Sequence, residues 1–579
     1  MNGKDWAAVH DIVIRGGTIV DGTGAPRYTG DVAIDGGALT QVGGTVDGKG
    51  RRELDGDGLV VAPGWVDIHT HYDGQVTWDP ALTPSGWHGV TTVVMGNCGV
   101  GFAPVRPGDE AFLIELMEGV EDIPGSALHE GIDWQWESFG EYLDALDRTD
   151  RVLDVAAQVP HAAVRAYVMR ERAHEDATAE EVLAMAELVE DALRVGAVGF
   201  TTSRTRLHRS KHGLVPGTYA PASELLAIGD AMGRVGRRAF EVVSDHIGTA
   251  PEIEMLVELA SRSGAMLTYA LAQSSFDPDM HRRALDEAAR YVADGVLIVP
   301  QVSSRPTGLL FGLQSSLHPF ITHPTYLALR DVPLEGRVAR LRDPEIRAKL
   351  VGESPSTGNP VAAALMTRFG QIFPIGDPPD YEPAPSTSIA AVAEREGRDP
   401  REVALDWLLE RDGKALLFAP LVSYGDYNHD AIREMITHPA SVVGLSDGGA
   451  HCGLICDASM PTTLLTHWVR DRTRGERIEL EHAVRLQTSR TAEVYGFVDR
   501  GTLRPGLRAD VNLIDLDRLT LHEPEMVFDL PASGRRLVQH VDGYEATICA
   551  GEVTFVGGEP TGARPGRLVR AARRAAAAS

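Results

Sequence analysis

Ala62-Pro63-Gly64-Trp65-Val66-Asp67-Ile68-His69-Thr70-His71-Tyr72-Asp73 is the stretch whose reading decides the fold. Pro63 and Gly64 break the chain ahead of an apolar run, which reads as a short buried strand ending in two histidines. Residues two apart on a strand point to the same side, so the imidazoles of His69 and His71 share one face. In a parallel barrel that face is the interior at the C-terminal mouth, where such barrels place their chemistry. Two neutral imidazoles there can hold one divalent metal ion. Two polar residues capping a strand are the plainer alternative.

Outward from this stretch the pattern repeats. From Gly64 on, apolar β-rich runs alternate with helical segments, as in a parallel sheet. Eight candidate strands lie near 65–71, 90–95, 152–159, 198–202, 239–244, 266–271, 296–302 and 442–446. Thr178-Ala-Glu-Glu181 is a capping box for a helix ending at Gly196. The segments 252–262 and 281–294 are helical and stop at Gly264 and Gly295. The expectation is an α/β fold, a (β/α)8 TIM-like barrel over 62–495. Short glycine-separated strands at 11–15, 18–21, 31–34 and 39–42 precede it, and similar strands and glycine turns follow from Asp499. Residues 1–61 and 496–579 are therefore read as the two parts of one small discontinuous β-sandwich domain. Between Val302 and Val442 lie about 140 residues, too many for one crossover. The Pro- and Gly-rich part, about 303–395, is read as an insertion after the seventh strand. Its attachment point favours a lid or substrate wall.

Composition narrows the function. A chain of 579 residues with 43% hydrophobic and 24% charged residues buries a large core. The net charge of −27 argues against nucleic acid and anionic membranes as partners. No apolar run reaches membrane-spanning length, and Met1 to His10 is polar, without the apolar core of a signal peptide. Four cysteines in so long a chain do not make a disulfide framework, so a reducing cytoplasm is the default. The Ala-rich tail from Arg564 to Arg574 is read as a solvated end. The oligomeric state stays open, a homo-oligomer included.

Other positions carry chemistry once the barrel is assumed. Cys98, in Gly96-Asn97-Cys98-Gly99, follows the second strand and could supply a thiolate suited to zinc. Asp447, in Leu445-Ser446-Asp447-Gly448-Gly449-Ala450-His451, ends the eighth strand and could move a proton between metal-bound water and a leaving group. His451 could orient Asp447 or the substrate. His246, past the fifth strand, could complete a metal site, and His161 is a further mouth candidate. Arg165 and Arg305 lie near strand ends and could fork a carboxylate. His208 and His212 lie in a basic loop, and Cys452 and Cys456 read as packing beneath the site.

Three segments together resemble the amidohydrolase superfamily: Pro63 to Asp73, Gly89-Val-Thr-Thr-Val-Val-Met-Gly-Asn-Cys-Gly99, and Leu445 to His451. Within it the chain is similar to the N-acyl-D-amino-acid deacylases, or D-aminoacylases. Thr491 to Asp510 matches that family's return into its small β domain. The Gly-Asn-Cys-Gly element is specific, because most of the superfamily uses a carboxylated lysine or a glutamate at the bridging position. The resemblance implies a zinc site of one or two ions, with His69 and His71 as ligands, Cys98 as a bridging or shared ligand, and Asp447 as general acid/base. It also implies an insertion after the seventh strand and a small-molecule N-acyl substrate. Two family features are missing. The sixth strand, Met266-Leu-Thr-Tyr-Ala-Leu-Ala-Gln273, holds no histidine, and a lysine that helps bind the substrate carboxylate is absent there. The expected activity is hydrolysis of N-acyl-D-amino acids, with stereochemistry carried by the resemblance alone. Hydrolysis of cyclic amides, lactones or peptide-like amides on the same scaffold is the alternative, and a non-catalytic ligand-binding barrel is the third reading.

Overall fold

The computed structural model describes residues 9–571 apart from 237, 248 and 357–359. Among the described residues the barrel sheet has eight strands: β1 (Trp65–Asp67), β2 (Val90–Met95), β3 (Asp154–Pro160), β4 (Gly199–Arg204), β5 (Ala239–Ser244), β6 (Met266–Ala270), β7 (Ile298–Val302) and β8 (Val442–Val443). Sequence neighbours are spatial neighbours, and every pairing is parallel. The ring closes just beyond the short β1 and β8. Asp447 N–H donates to His69 O at 3.1 Å, and His71 N–H donates to Gly448 O at 2.8 Å. Barrel closure thus runs through the residues marked for chemistry. Gly448 permits the approach, since a Cβ there would stand 2.7 Å from Ser85 Oγ.

The helices begin and end where local chemistry dictates. Thr178 and Glu181 form the reciprocal capping box of the helix Ala179–Arg194. Ala250–Ser263 stops at Gly264, whose φ of 65° suits glycine. Strand-start residues Val198, Ala239, Met266 and Val442 pack with Val66 and Ala156 at the N-terminal end of the barrel. Val569 and Ala571 pack against this cluster, and Val155 exchanges backbone hydrogen bonds with Arg567 and Val569 at 3.0 and 2.7 Å. The expectation of a solvated tail therefore fails for 566–571: two apolar residues there cover the barrel floor. Residues 572–574 of that tail, and Met1 to Ala8 of the polar start, lie outside the described residues.

Both ends of the chain build one nine-stranded sheet among the described residues. Val60–Pro63 joins them, parallel to Val9–Ile19 and antiparallel to Val511–Ile514. The sheet curls until Leu39 and Val553, from its opposite ends, share one core with Ile14, Val61 and Ile548. Residues 520–542 leave this sheet and run along the barrel. Leu537 N–H donates to Cys452 O at 2.6 Å, and Arg535 Nη1 donates to Gln314 O at 2.8 Å.

The excursion after β7 carries its own three-stranded antiparallel sheet, Gly308–Phe311, Leu417–Pro420 and Phe373–Pro374. Its own core gathers Leu309, Phe311, Leu341, Ile389, Leu405 and Leu417, and takes in Ile455 from the loop after β8. Leu310 N–H donates to Leu454 O at 2.7 Å, and Ser316 N–H to Gly453 O at 2.8 Å. The excursion is thus stitched to the loop that carries Asp447 and His451.

Candidate metal centre and active site

His69 and His71 leave β1 on the inner face, 1% exposed each. Cys98 reaches them from the turn after β2. Its φ is 56°, a left-handed conformation rare for a residue with a Cβ, and the flanking Gly96 and Gly99 are left-handed as well. A Cβ on Gly96 would stand 2.4 Å from Gln158 O, and one on Gly99 2.8 Å from Ser203 N. Asn97 ties the turn down, donating from Nδ2 to Thr70 O and Val94 O at 3.0 Å each. The result is Cys98 Sγ 3.5 Å from His69 Nε2. The ligand atoms of His69, His71 and Cys98 all lie within 4.8 Å of one another.

The surroundings set the state of each donor. Gln301 of β7 accepts at Oε1 from His69 Nδ1, 3.0 Å away, which turns the Nε2 lone pair toward Cys98. His71 Nδ1 stands 3.5 Å from Glu121 Oε1, and neither His71 nitrogen has a hydrogen-bond partner among the described residues. Burial lowers the pKa of both histidines, so the neutral, metal-binding form is favoured. Burial, and then the carboxylates of Glu121, Glu241, Asp447 and Asp73, push the Cys98 thiol well up. A cation at the thiol reverses that, since a coordinated thiol is deprotonated outright. Two neutral imidazoles and a thiol, with buried nitrogens left unbonded, fit a zinc-type ion.

Asp447 lies against this group, its Oδ1 3.4 Å from His69 Nε2 and 3.9 Å from His71 Nε2. Burial alone would raise its pKa, but the His451 ion pair and the fields of His69 and His71 draw it below the usual carboxylate range. His451 Nε2 stands 3.6 Å from both Asp447 Oδ2 and Glu121 Oε2. Against the burial that would lower it, those carboxylates raise the His451 pKa to about 9.

Five other sequence candidates are placed elsewhere. His246 is exposed on the loop after β5 and stands outside the donor group. Arg165 is buried in the helix His161–Met169, bonded to Glu224 and to the carbonyls of Ala173 and Glu175. Arg305 is fully buried, bonded to Ser459, Thr463, Asp457 and Cys456 O and stacked over Tyr381 at 3.9 Å. Each guanidinium already has carboxylate or carbonyl partners inside the protein, so neither is free to fork a substrate. His161 belongs to the Arg165 network, bonded to Thr202 and Glu224 at 2.8 Å. His212 pairs with Glu115 at the surface.

The structure also brings in residues that sequence reasoning passed over. Glu241 of β5 accepts from Cys98 N–H at 3.1 Å, and its Oε1 has no partner among the described residues. Burial raises its pKa to about 8, as it does for Glu121, at the end of helix α1 (Glu110–Glu121). The signal for Glu241 was a lone acid amid Ala239-Phe-Glu-Val-Val243, an apolar strand. His208, which the sequence placed in a basic loop after β4, is by contrast one already named; it bonds Ser203 Oγ at 2.9 Å and acts electrostatically on His71. Burial and the His451 charge lower its pKa to about 4.

Comparison with known proteins bears on this arrangement directly. A model of the amidohydrolase family matches residues 52–555. The chain belongs to the amidohydrolase family. As such it is a metal-dependent C–N hydrolase, as the sequence resemblance implied. It is similar to the N-acyl-D-glutamate deacylase of Alcaligenes xylosoxydans xylosoxydans, 28% identical over 569 residues, 97% of this chain and 96% of that one. The N-acyl-D-aspartate deacylase of the same organism is 26% identical over 572 residues, 98% and 96% of the two chains. Among solved structures, the N-acyl-D-glutamate deacylase of Bordetella bronchiseptica, complexed with zinc and a phosphonate mimic of the tetrahedral intermediate, superposes with a TM-score of 0.64. It is 25% identical, and the match covers 97% of this chain and all of that one.

Proposed function

We propose that this amidohydrolase removes the acyl group from N-acyl-D-amino acids or related N-acyl compounds, using zinc held by His69, His71 and Cys98. The observation that carries the reading is the donor triangle with the Asp447 carboxylate 3.4 Å from one of its corners. Zinc bound there supplies a Lewis acid for the amide carbonyl and makes hydroxide available from water near neutral pH. The chain's own residues do the rest. Asp447, held ionised, accepts a proton from the attacking water and returns it to the departing amine. His451, positively charged, keeps Asp447 in its base form between proton transfers. Gln301 fixes the ring of His69, so its lone pair needs no rearrangement as the reaction proceeds. Glu241, whose other oxygen accepts from Cys98 N–H, would be the residue nearest Cys98 to hold a second ion, with the loss of its proton. The D-configuration rests on the relatives, which act on N-acyl-D-glutamate and N-acyl-D-aspartate.

The test is a substrate screen of zinc-loaded protein with N-acetyl-D- and N-acetyl-L-amino acids. Turnover of the D series supports the reading, and failure on both series overturns it. One observation favours a second substrate class. The stretch Met266 to Gln273, which includes β6, holds no histidine, and this is where the chain departs from the family it resembles. Cyclic amides, lactones and peptide-like amides therefore belong in the same screen.

A further inference from the structure

A second donor group lies away from the barrel mouth. Glu382 comes from the excursion after β7, His429 precedes the helix Asp430–Ile436 that returns toward β8, and His467 sits in a π-helical stretch, Leu464–Asp471, after β8. A whole segment of π-helix is rare, and such turns cluster at functional sites. The donor atoms form a tight triangle. His429 Nδ1 and His467 Nε2 are 3.0 Å apart, His467 Nε2 and Glu382 Oε2 3.3 Å, and His429 Nδ1 and Glu382 Oε2 4.0 Å. Ligand bonds of about 2.0–2.1 Å at tetrahedral angles place donor atoms about 3.3–3.4 Å apart.

The protonation states suit a cation. His429 Nε2 lies 2.8 Å from Tyr381 O, which accepts only, so that nitrogen carries the proton and Nδ1 is a lone pair. Glu382 is ionised: Arg472 donates to it from Nε at 3.2 Å and Nη2 at 3.1 Å, and His429 N–H donates at 2.7 Å. Each carboxylate oxygen has a second lone pair beyond the one Arg472 takes. One proton on His467 Nε2 has to serve two acceptors, the His429 lone pair and Glu382 Oε2. A divalent cation satisfies all three at once. Glu382 and His467, but not His429, line a cavity of about 450 Å³ together with Thr466, Arg470, Arg472 and Thr520.

We infer that Glu382, His429 and His467 form a second binding site for a zinc-type divalent cation, with its fourth position open to this cavity, which ties the excursion after β7 to the barrel. The inference is independent of the substrate proposed above. The carbonyl of Tyr381 would fix the His429 tautomer, as outer partners do at metal sites.

The experiment starts from the full chain with His71→Ala and Cys98→Ala, so that the barrel-mouth site no longer holds metal. After equilibration with zinc and desalting, elemental analysis is expected to find about one zinc per chain, as a preformed three-donor site retains it. Adding His467→Gln is expected to remove it. X-ray absorption on the double variant is expected to show nitrogen and oxygen neighbours with imidazole scattering. This reading does not depend on the folding of the His467 variant. A double variant without zinc, a triple variant that keeps it, or a sulfur neighbour at the zinc would each overturn the inference.

Discussion

The barrel mouth and the group of Glu382, His429 and His467 each gather two imidazoles and one acidic donor within 4.8 Å, yet their neighbours differ in kind. At the mouth, His69, His71 and Cys98 face Asp447, a carboxylate with nothing stronger on it than an ion pair to His451 at 3.6 Å. In the excursion, Glu382 is clamped by Arg472 through two hydrogen bonds, and no further carboxylate is among its described ligand partners. The first arrangement can pass a proton. The second has its one carboxylate occupied as a donor and neutralised by a guanidinium. Donor geometry alone therefore marks a place for a cation, and the adjoining acid–base group marks a place for chemistry.

The largest expected effect comes from removing the first donor set. His71→Ala with Cys98→Ala should abolish turnover in a zinc-supplemented assay, because two of three donors go. Measurable turnover in that variant would move the catalytic assignment away from the barrel mouth. Next is Asp447→Asn, which keeps shape but cannot accept the proton. It should lower kcat/KM by about 10²–10⁴-fold with zinc content unchanged, since positioned proton transfer is worth about that much. A loss of zinc in parallel would make Asp447 a ligand first. On the other side of the comparison, Arg472→Met leaves Glu382 buried, 4% exposed, without its cation. Breaking a buried pair in this way costs about 3–5 kcal/mol of stability. Chemical denaturation should show that loss, and added zinc should restore part of it if the second site takes a cation.

How much of this was legible in the sequence follows from the range of each interaction. The barrel and the triad of His69, His71 and Cys98 were readable because period-two strands and glycine-flanked turns are local signals. Asp447 was readable for the same reason, as the acid ending an apolar strand before two glycines. What failed depended on partners far along the chain. Arg165 and Arg305 look like free forks until Glu224 and Asp457 arrive, 59 and 152 residues away. His246 lies near the fifth strand's end in sequence, but Asp245 and His246 turn outward while Glu241, inside the strand, faces Cys98. Glu121 gave no local sign at all, because the end of helix α1 reaches the mouth only once the barrel has closed. The donors of the second group were invisible for the same reason, drawn from positions 382, 429 and 467.

The smallest effect concerns what holds a ligand in place. Gln301 is fully buried and touches the site only through Oε1, which accepts from His69 Nδ1 at 3.0 Å. Its Nε2 has no hydrogen-bond partner among the described residues. Gln301→Leu removes the acceptor and frees the His69 tautomer, which should weaken zinc affinity or activity by about 10–100-fold, the usual cost of losing such a partner. Gln301→Glu keeps an acceptor in the same place and gives up no existing bond, so zinc affinity should stay closer to wild type than in the leucine variant. Competition with a chelator, measured on both variants, separates the two outcomes. If the glutamate variant loses as much affinity as the leucine one, the tautomer argument fails. At the second site a main-chain oxygen, Tyr381 O, does the same work for His429. A side-chain substitution cannot delete that acceptor, so the tautomer at the mouth can be tuned by mutation while the one in the excursion is set by the backbone.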